Sequence, residues 1–354
     1  MTSGPIPPLP PRSTRRAAAI GQSKSKVRAV LKLVGIPVLI LVLAGLIYIT
    51  YTYRNVEDTL DRINTGTDEK VPREELAEQK PVSILLLGLD SRPETGTLNT
   101  DVIMVAALNP KDKSAVIVSI PRDTYVKVDG WRARKANAFY AVVYNENKET
   151  ALSEIRPIFS DFLDVPIDYT VVINFRAFTD LVDELGGITV NVDQDMYYVD
   201  PTDGTHIDLK AGVQTLNGDQ ALDFVRYRHS NNGETPESSD LERNKRQQAV
   251  LSAIIDKLKP FNAIAKANSI LNVIGDNVRT DIPKQQMKSL IMTYAAISND
   301  KIQYIPLEGV WQSPYVYLDE AGFEQAKMVL KRQLGLEVAP AASAPTAEED
   351  VYGR

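Results

Sequence analysis

Val82-Ser-Ile-Leu-Leu-Leu-Gly-Leu89 is an almost unbroken apolar run of strand length. A strand with one wet face alternates apolar and polar residues; a continuous run instead marks a strand buried on both faces, as in sheets covered by helices. Asp101-Val-Ile-Met-Val-Ala-Ala-Leu108 and Lys113-Ser-Ala-Val-Ile-Val-Ser-Ile120 repeat the pattern, and Asn109-Pro-Lys-Asp112 between them has turn chemistry, so these two form a hairpin. Helical patterns follow over 134–145 and 149–163, the second kinked by Pro157. Next come a strand at Tyr169–Asn174, a helix from Phe175 to Leu185 stopped by Gly186-Gly187, and a strand at Ile188–Val192. Helices near 262–275 and 283–296, a strand at 301–305 and a helix over 319–333 complete the series. Interleaved strands and helices predict an α/β fold, a three-layer α/β/α sandwich around a mixed central sheet, over residues 81–334.

Upstream, residues 33–53 (LVGIPVLILVLAGLIYITYTY) carry no charge between Lys32 and Arg54. As a helix this run is about 30 Å long, the thickness of a bilayer's hydrocarbon core. Tyr48, Tyr51 and Tyr53 crowd its far end as an aromatic belt does, and seven Lys or Arg with no acid in residues 1–32 favour a cytoplasmic N-terminus. The expectation is a single-pass signal anchor in the cell membrane. It is preceded by a basic tail (1–32) and followed by a polar linker with one or two short helical pieces (54–80) and an extracytoplasmic domain. Residues 335–354, rich in Ala and Pro, read as a disordered tail.

Composition excludes several chemistries. The chain has no cysteine, so disulfides, thiol catalysis and thiolate metal sites are absent together. Its two histidines, His206 and His229, cannot build a multi-histidine zinc site, and neither GxxxxGK[ST] nor GxGxxG occurs. Beyond residue 32 the chain holds 33 basic against 46 acidic residues, so nucleic acid is disfavoured as the main partner.

Chemistry concentrates in residues 216–248, LNGDQALDFVRYRHSNNGETPESSDLERNKRQQ. Arg226, Arg228, Arg243 and Arg246 stand there beside the carboxylates Asp223 and Asp240. Read as a strand, residues 223–229 put Phe224, Arg226 and Arg228 on one face, so two guanidiniums point the same way. Asp240 is expected as the N-cap of the following helix, on which Asp240, Arg243, Gln247, Leu251, Ile254 and Leu258 share a face that is polar for two turns and then apolar. The pattern suggests a pocket with a charged mouth and an apolar interior. Guanidinium forks and a helix N-terminus suit phosphate. The competing reading pairs Arg226 and Arg228 with Asp223 and Asp240 in a structural ion network. Polar residues also close strand ends at Asp90-Ser-Arg92, Thr100-Asp101 and Arg122-Asp123, where open α/β sheets place ligands, and two carboxylates near phosphate-binding arginines suit Mg²⁺.

LLLGLDSR (85–92), TDVIMVAALNP (100–110), SIPRDTYV (119–126), KANAFYA (135–141), LVDELGGITVNV (181–192), LNGDQALDFVRYR (216–228) and DLERNKRQQ (240–248) together resemble the LytR-CpsA-Psr family of membrane-anchored glycan phosphotransferases, over about residues 81–260. The resemblance implies transfer of a glycan phosphate from a polyprenyl-pyrophosphate carrier to a peptidoglycan hydroxyl, with Mg²⁺ or Mn²⁺. By motif position it places pyrophosphate-binding arginines at Arg122, Arg226, Arg228 and Arg243, a glutamine at Gln247, and metal-associated aspartates at Asp90 and Asp101. It makes Arg122, Arg226, Arg228 and Asp240 the catalytic set, with capping, orienting Arg243 and taking a proton all open for Asp240. It also implies an apolar tunnel for the lipid between sheet and helices. Two departures stand out: Leu98-Asn99 occupies the place of a frequent family arginine, which Arg92 could supply, and Val142 follows KANAFYA where a Gly-Gly pair is common. A polyprenyl-phosphate sensor with a regulatory role and a pyrophosphatase using water as acceptor are the alternative functions.

Overall fold

Six strands hydrogen-bond in the order β11-β6-β1-β2-β3-β12 to form the central sheet of the computed structural model. The structure describes residues 54–66, 70–89, 98–201, 204–231, 233, 235–258 and 260–336, side chains at 240, 241 and 260–268 excepted. In chain order the first elements are β1 (Val82–Leu89), β2 (Thr100–Asn109), β3 (Ser114–Ser119), β4 (Tyr125–Val126) and β5 (Arg134–Lys135). Helices α1 (Phe139–Glu146) and α2 (Ala151–Leu163), β6 (Tyr169–Asn174), α3 (Phe175–Glu184) and β7 (Ile188–Val192) follow. Then come β8 (Met196–Asp200), β9 (Thr205–Leu209), β10 (Gly212–Leu216), α4 (Gly218–Arg226), α5 (Asp240–Lys257), α6 (Pro260–Asn277), β11 (Val278–Thr280) and α7 (Lys284–Tyr294). The last are β12 (Ile302–Pro306), β13 (Gly309–Gln312), β14 (Tyr315–Leu318) and α8 (Glu320–Gln333).

The sheet is mixed. β2 runs antiparallel to β1 and β3, as the expected hairpin requires, while β6 pairs parallel with β1 and β12 parallel with β3. Strand alternation then assigns two faces. Leu85, Leu87, Leu89, Ile103, Val105, Val116, Val118 and Val172 share one buried cluster with Phe139 and Val143 of α1, Ile155 and Phe159 of α2, and Leu330 of α8. Full burial of each of these side chains contributes about 1.5–3 kcal/mol. Leu86, Gly88, Val102, Met104 and Ile173 point the other way and face α3, α4 and α5 across an apolar space. The helices thus cover both faces, which is why β1 reads as a continuous apolar run.

A second buried cluster joins Val182, Ile188, Val190, Val192, Met196, Ile207, Leu209, Phe224 and Tyr227 to Val250 and Ile254 of α5. It unites the small antiparallel pairs β7–β10 and β8–β9 with α4. Here α3 and α4 approach closely: a Cβ on Gly218 would lie 2.3 Å from the Thr179 carbonyl oxygen, and the Gly218 N–H donates to Asp183 Oδ1 at 2.7 Å.

Several expectations need correction. Residues 223–226 are the last turn of α4 rather than a strand, because Asn217 supplies a full capping box with Gln220 and starts a helix that runs to Arg226. The N-cap of α5 is Ser239, whose side chain accepts from the Glu242 N–H, so Asp240 is the first helical residue. The 134–145 pattern is a helix only from Phe139, its start being β5 and a 3-10 turn. The pairs β8–β9 and β13–β14 lie in stretches that gave no clear strand pattern. Within the linker, Thr59, Leu60, Ile63, Leu76 and Ala77 are buried, Lys284 pairs with Asp61 and Lys288 with Glu57. No helix among the described residues is long and apolar enough to cross a membrane, and the expected anchor at 33–53 lies outside them, as does the tail from 337.

Candidate active site

The β2–β3 register sets the first half of the site. Met104 pairs with Ser119, and the Ile120 N–H donates to the Ile103 carbonyl at 2.9 Å, so continuing the register brings Asp101 opposite Arg122. Arg122 Nη1 donates to Asp101 Oδ1 at 2.6 Å, its Nε stands 3.5 Å from Asp123 Oδ2, and Lys135 Nζ donates to Asp123 Oδ1 at 2.8 Å. Burial works to lower the Arg122 pKa, but the pairs with Asp101 and Asp123 outweigh it and the net shift is upward. Burial likewise opposes ionisation of Asp123, and Lys135, Arg122 and Arg228 overcome that and lower its pKa. Neighbouring opposite charges fix both groups in their charged forms.

The second half comes from the turn between α4 and α5. After Arg226 the chain leaves the helix at Tyr227, a fully buried residue whose hydroxyl bonds Thr235 Oγ1 at 2.7 Å and the Pro236 carbonyl at 2.8 Å. Arg228 follows, with its carbonyl accepting from the Ser238 N–H at 2.8 Å. One turn into α5, Arg243 joins Arg228 and Arg122 around a cleft of about 150 Å³ that Pro121, Asp123, Trp311 and Val316 also line. Burial, followed by the charges of Arg228 and Arg122, pulls Arg243 down to about 10; burial and then Arg122 lower Arg228. Three guanidiniums and Lys135 face Asp101 and Asp123, so the cleft is electropositive. Crowded cations of this kind are relieved by an anion with several oxygens.

Arg246 has a different task. It is 2% exposed, grips both oxygens of Asp193 at 2.7 and 2.6 Å, and donates to Ser238 Oγ at 2.7 Å. It ties α5 to the end of β7 and to the turn that carries Arg228.

A third, small pocket lies between the arginine cleft and the apolar space. A narrow neck lined by Asp101, Val102, Arg122, Arg243, Asn244 and Gln247 shares its arginines with the cleft. Val102 and Gln247 are shared in turn with a cavity of about 200 Å³ walled by Leu86, Met104, Phe175, Phe178, Val225 and Leu251. The α5 face that is polar at Arg243 and Gln247 and apolar at Leu251 and Ile254 therefore spans both regions, as its spacing predicts.

The structure brings together Arg122, Arg228, Arg243, Gln247 and Asp101. It does not bring Arg226 beside Arg228: the Arg226 guanidinium stacks 4.3 Å from the ring centroid of Phe175, at the wall of the apolar cavity. Asp90 and Arg92 lie outside the described residues, as does the Asp240 side chain. Sequence reasoning placed Asp123 at a ligand-facing strand end without giving it a role, and missed Lys135 and Trp311 as members of the site. The only signals for Trp311 were its rarity, as one of two tryptophans, and its place in a polar stretch.

Comparison with known proteins gives consistent matches. The LytR_cpsA_psr family model matches residues 47–332. The chain is 32% identical over 310 residues, 84% of its length and 95% of the relative, to the polyisoprenyl-teichoic acid–peptidoglycan teichoic acid transferase TagU of Bacillus mycoides. Among solved structures, Bacillus subtilis TagV superposes with a TM-score of 0.58 at 30% identity, covering 73% of this chain and 99% of TagV. TagT bound to LI-WTA gives 0.55 at 28%, covering 77% of this chain and 96% of TagT.

Proposed function

The chain belongs to the LytR_cpsA_psr family, and from that membership we propose that it is a glycopolymer ligase of the cell wall. In this reading it moves a glycan phosphate from a polyprenyl-pyrophosphate carrier to a hydroxyl of peptidoglycan. The observation that carries it is the adjacency of a cleft of three arginines and an apolar cavity of about 200 Å³, each of which shares wall residues with the small pocket between them at Asp101 and Gln247. A lipid pyrophosphate has that polarity profile. Its TagU relative is named for transfer of teichoic acid, which makes a teichoic-acid-type glycan the first donor to test.

The acceptor oxygen attacks the phosphorus of the glycan phosphate. A new P–O bond forms, the P–O bond to the carrier breaks, the polyprenyl phosphate leaves with the electron pair, and the acceptor hydroxyl's proton ends on that phosphate. Charge spreads over the phosphoryl oxygens as this happens, and preorganised guanidiniums at Arg122, Arg228 and Arg243 stabilise it. Arg226 stacks on Phe175, whose ring lines the apolar cavity. Mg²⁺ fits this donor set: Asp101 faces the neck beside Arg122, and such an ion takes one or two carboxylates and completes its shell with water and phosphate oxygens. When bound it would supply further charge at the pyrophosphate, with Asp90 as a second carboxylate.

The reading includes a membrane anchor at 33–53 with residues 1–32 in the cytoplasm, so that a three-layer α/β/α domain outside works beside a substrate confined to the bilayer. The test uses the full chain in detergent with a short prenyl-pyrophosphate-linked glycan and peptidoglycan oligomers, with and without Mg²⁺, analysed by mass spectrometry. A Mg²⁺-dependent phosphodiester adduct lost in Arg228→Ala supports the ligase. Donor hydrolysis without adduct would favour the pyrophosphatase, and binding alone the sensor.

A further inference from the structure

The β13–β14 hairpin contributes a tryptophan to the wall of the arginine cleft, and that residue lines neither the neck nor the apolar cavity. The neck shares Val102 and Gln247 with the apolar cavity, and Arg122 and Arg243 with the cleft, whose remaining wall includes Trp311. The linear order is therefore apolar cavity, arginines, tryptophan. A lipid-linked glycan has the same order: prenyl chain, pyrophosphate, first sugar.

Trp311 is 55% exposed although it belongs to a hairpin that is firmly placed. The Val316 N–H donates to the Asp123 carbonyl at 2.9 Å, and Val316 forms a parallel bridge with Thr124. Trp311 pairs with Val316 in the register, so both project from one face of the hairpin, toward the cleft. On the opposite face Tyr317 stacks on Tyr125 at 5.3 Å and Tyr315 meets the same ring edge-on at 5.1 Å. Gly309 admits the tight crossing, since a Cβ there would lie 2.4 Å from the Tyr317 carbonyl oxygen. The tyrosine clamp sits three residues from Arg122, so the indole is held in fixed relation to the phosphate-binding groups. Lys135, which pairs with Asp123, places its Nζ 5.4 Å from the Trp311 ring centroid.

A large aromatic ring held open to solvent beside a phosphate site has a specific chemical use. The C–H face of a pyranose is apolar and weakly positive, and it packs flat on the negative face of an indole, while a neighbouring ammonium donates to the sugar hydroxyls. Resting on the ligase reading, we propose that Trp311 forms the subsite for the sugar attached directly to the donor's pyrophosphate, with Lys135 as its hydroxyl contact. The hairpin is thus a specificity element that separates glycosylated carriers from bare prenyl pyrophosphate.

The experiment measures binding of two probes to the full chain in detergent: a short-chain prenyl pyrophosphate, and the same molecule bearing one N-acetylhexosamine. Trp311→Ala is expected to weaken the sugar-bearing probe about tenfold more than the bare probe, a difference of roughly 1.4 kcal/mol; Trp311→Phe retains most of the affinity. In a Trp131→Phe background, which leaves Trp311 as the sole tryptophan, emission shifts with the sugar-bearing probe and not with the bare one. Equal weakening of both probes, or of neither, overturns the proposal. Arg228→Ala tests the parent reading separately, because it abolishes binding of the bare probe. A wild-type chain that binds no bare probe overturns the ligase reading and this subsite with it.

Discussion

Arg122 donates to Asp101 across the open end of the β2–β3 hairpin at 2.6 Å, so the guanidinium best placed to hold phosphate is already held by a carboxylate. The pair keeps Arg122 oriented and makes Asp101 a competitor for it. Asp101→Asn preserves shape and removes the competing charge. It is expected to tighten binding of inorganic pyrophosphate in the absence of Mg²⁺ about three- to tenfold and to reduce Mg²⁺-dependent transfer about a hundredfold, within the range for losing one charge-stabilising group. Isothermal titration and a transfer assay read the two effects. Weaker pyrophosphate binding in the variant would show that Asp101 serves mainly to orient Arg122.

Arg243 stands where function and stability conflict. Burial, Arg228 and Arg122 all disfavour its charge, which pulls its pKa down from the usual arginine value to about 10. Below about pH 10 the folded protein therefore carries the penalty of a crowded cation, and the penalty fades as pH rises above that toward the usual arginine range. Arg243→Gln is expected to stabilise the ligand-free protein by about 1 kcal/mol at pH 7.5, a melting shift of roughly 2–4 °C, while abolishing donor binding. Pyrophosphate should raise the melting temperature of the wild type and leave the variant unchanged. A destabilised variant would show that Arg243 holds Asp101 or Asp123 in the resting state.

The central sheet was legible because its strands bury both faces, and nothing but a helix-covered sheet makes β1 and β2 so continuously apolar. The face of α5 was legible for the same reason: Arg243, Gln247, Leu251 and Ile254 recur at helical spacing whatever the tertiary context. The turn before it was not. Phe224, Arg226 and Arg228 alternate like a strand, but the Asn217–Gln220 capping box starts a helix that ends at Arg226, and the two arginines part company there. Lys135 reaches Asp123 through the short β4–β5 pair, and Trp311 joins them only through tertiary packing of a hairpin about 190 residues from the Arg122 motif. No local period marks such a contact.

Arg246 has the residue type of the cleft arginines but a structural role. Its guanidinium is 2% exposed and bound to Asp193, Ser238 and the Tyr227 carbonyl, which places the backbone on either side of Arg228. Arg246→Ala leaves Asp193 partnerless but able to reach water, so the loss is about 2–3 kcal/mol, below the 3–5 typical of a wholly buried pair. Donor binding falls together with stability, and Arg246→Lys restores only part of either because one ammonium cannot replace a bidentate fork. Urea melts with parallel binding measurements check this. Lost binding at unchanged stability would instead put Arg246 among the ligand contacts.

Asp223 supplies a pH-dependent readout outside the cleft. Burial raises its carboxyl to about 6, with Asp219 adding to the effect and Arg226 and His206 opposing it. Because the folded value lies above the usual 3.8, the folded state binds the extra proton between about pH 4 and 6. The contribution to stability is then fully present below about pH 4 and lost as pH rises through 6. Asp223→Asn removes the ionisation and keeps the shape. After allowance for its partial exposure, the variant is expected to be more stable than wild type by about 1 kcal/mol at pH 7.5, with the difference vanishing near pH 4. Thermal melts at the two pH values decide it. A variant less stable at pH 7.5 would mean that the ionised carboxylate is held by Arg226 strongly enough to outweigh its burial, and that the turn leading to Arg228 depends on that pair.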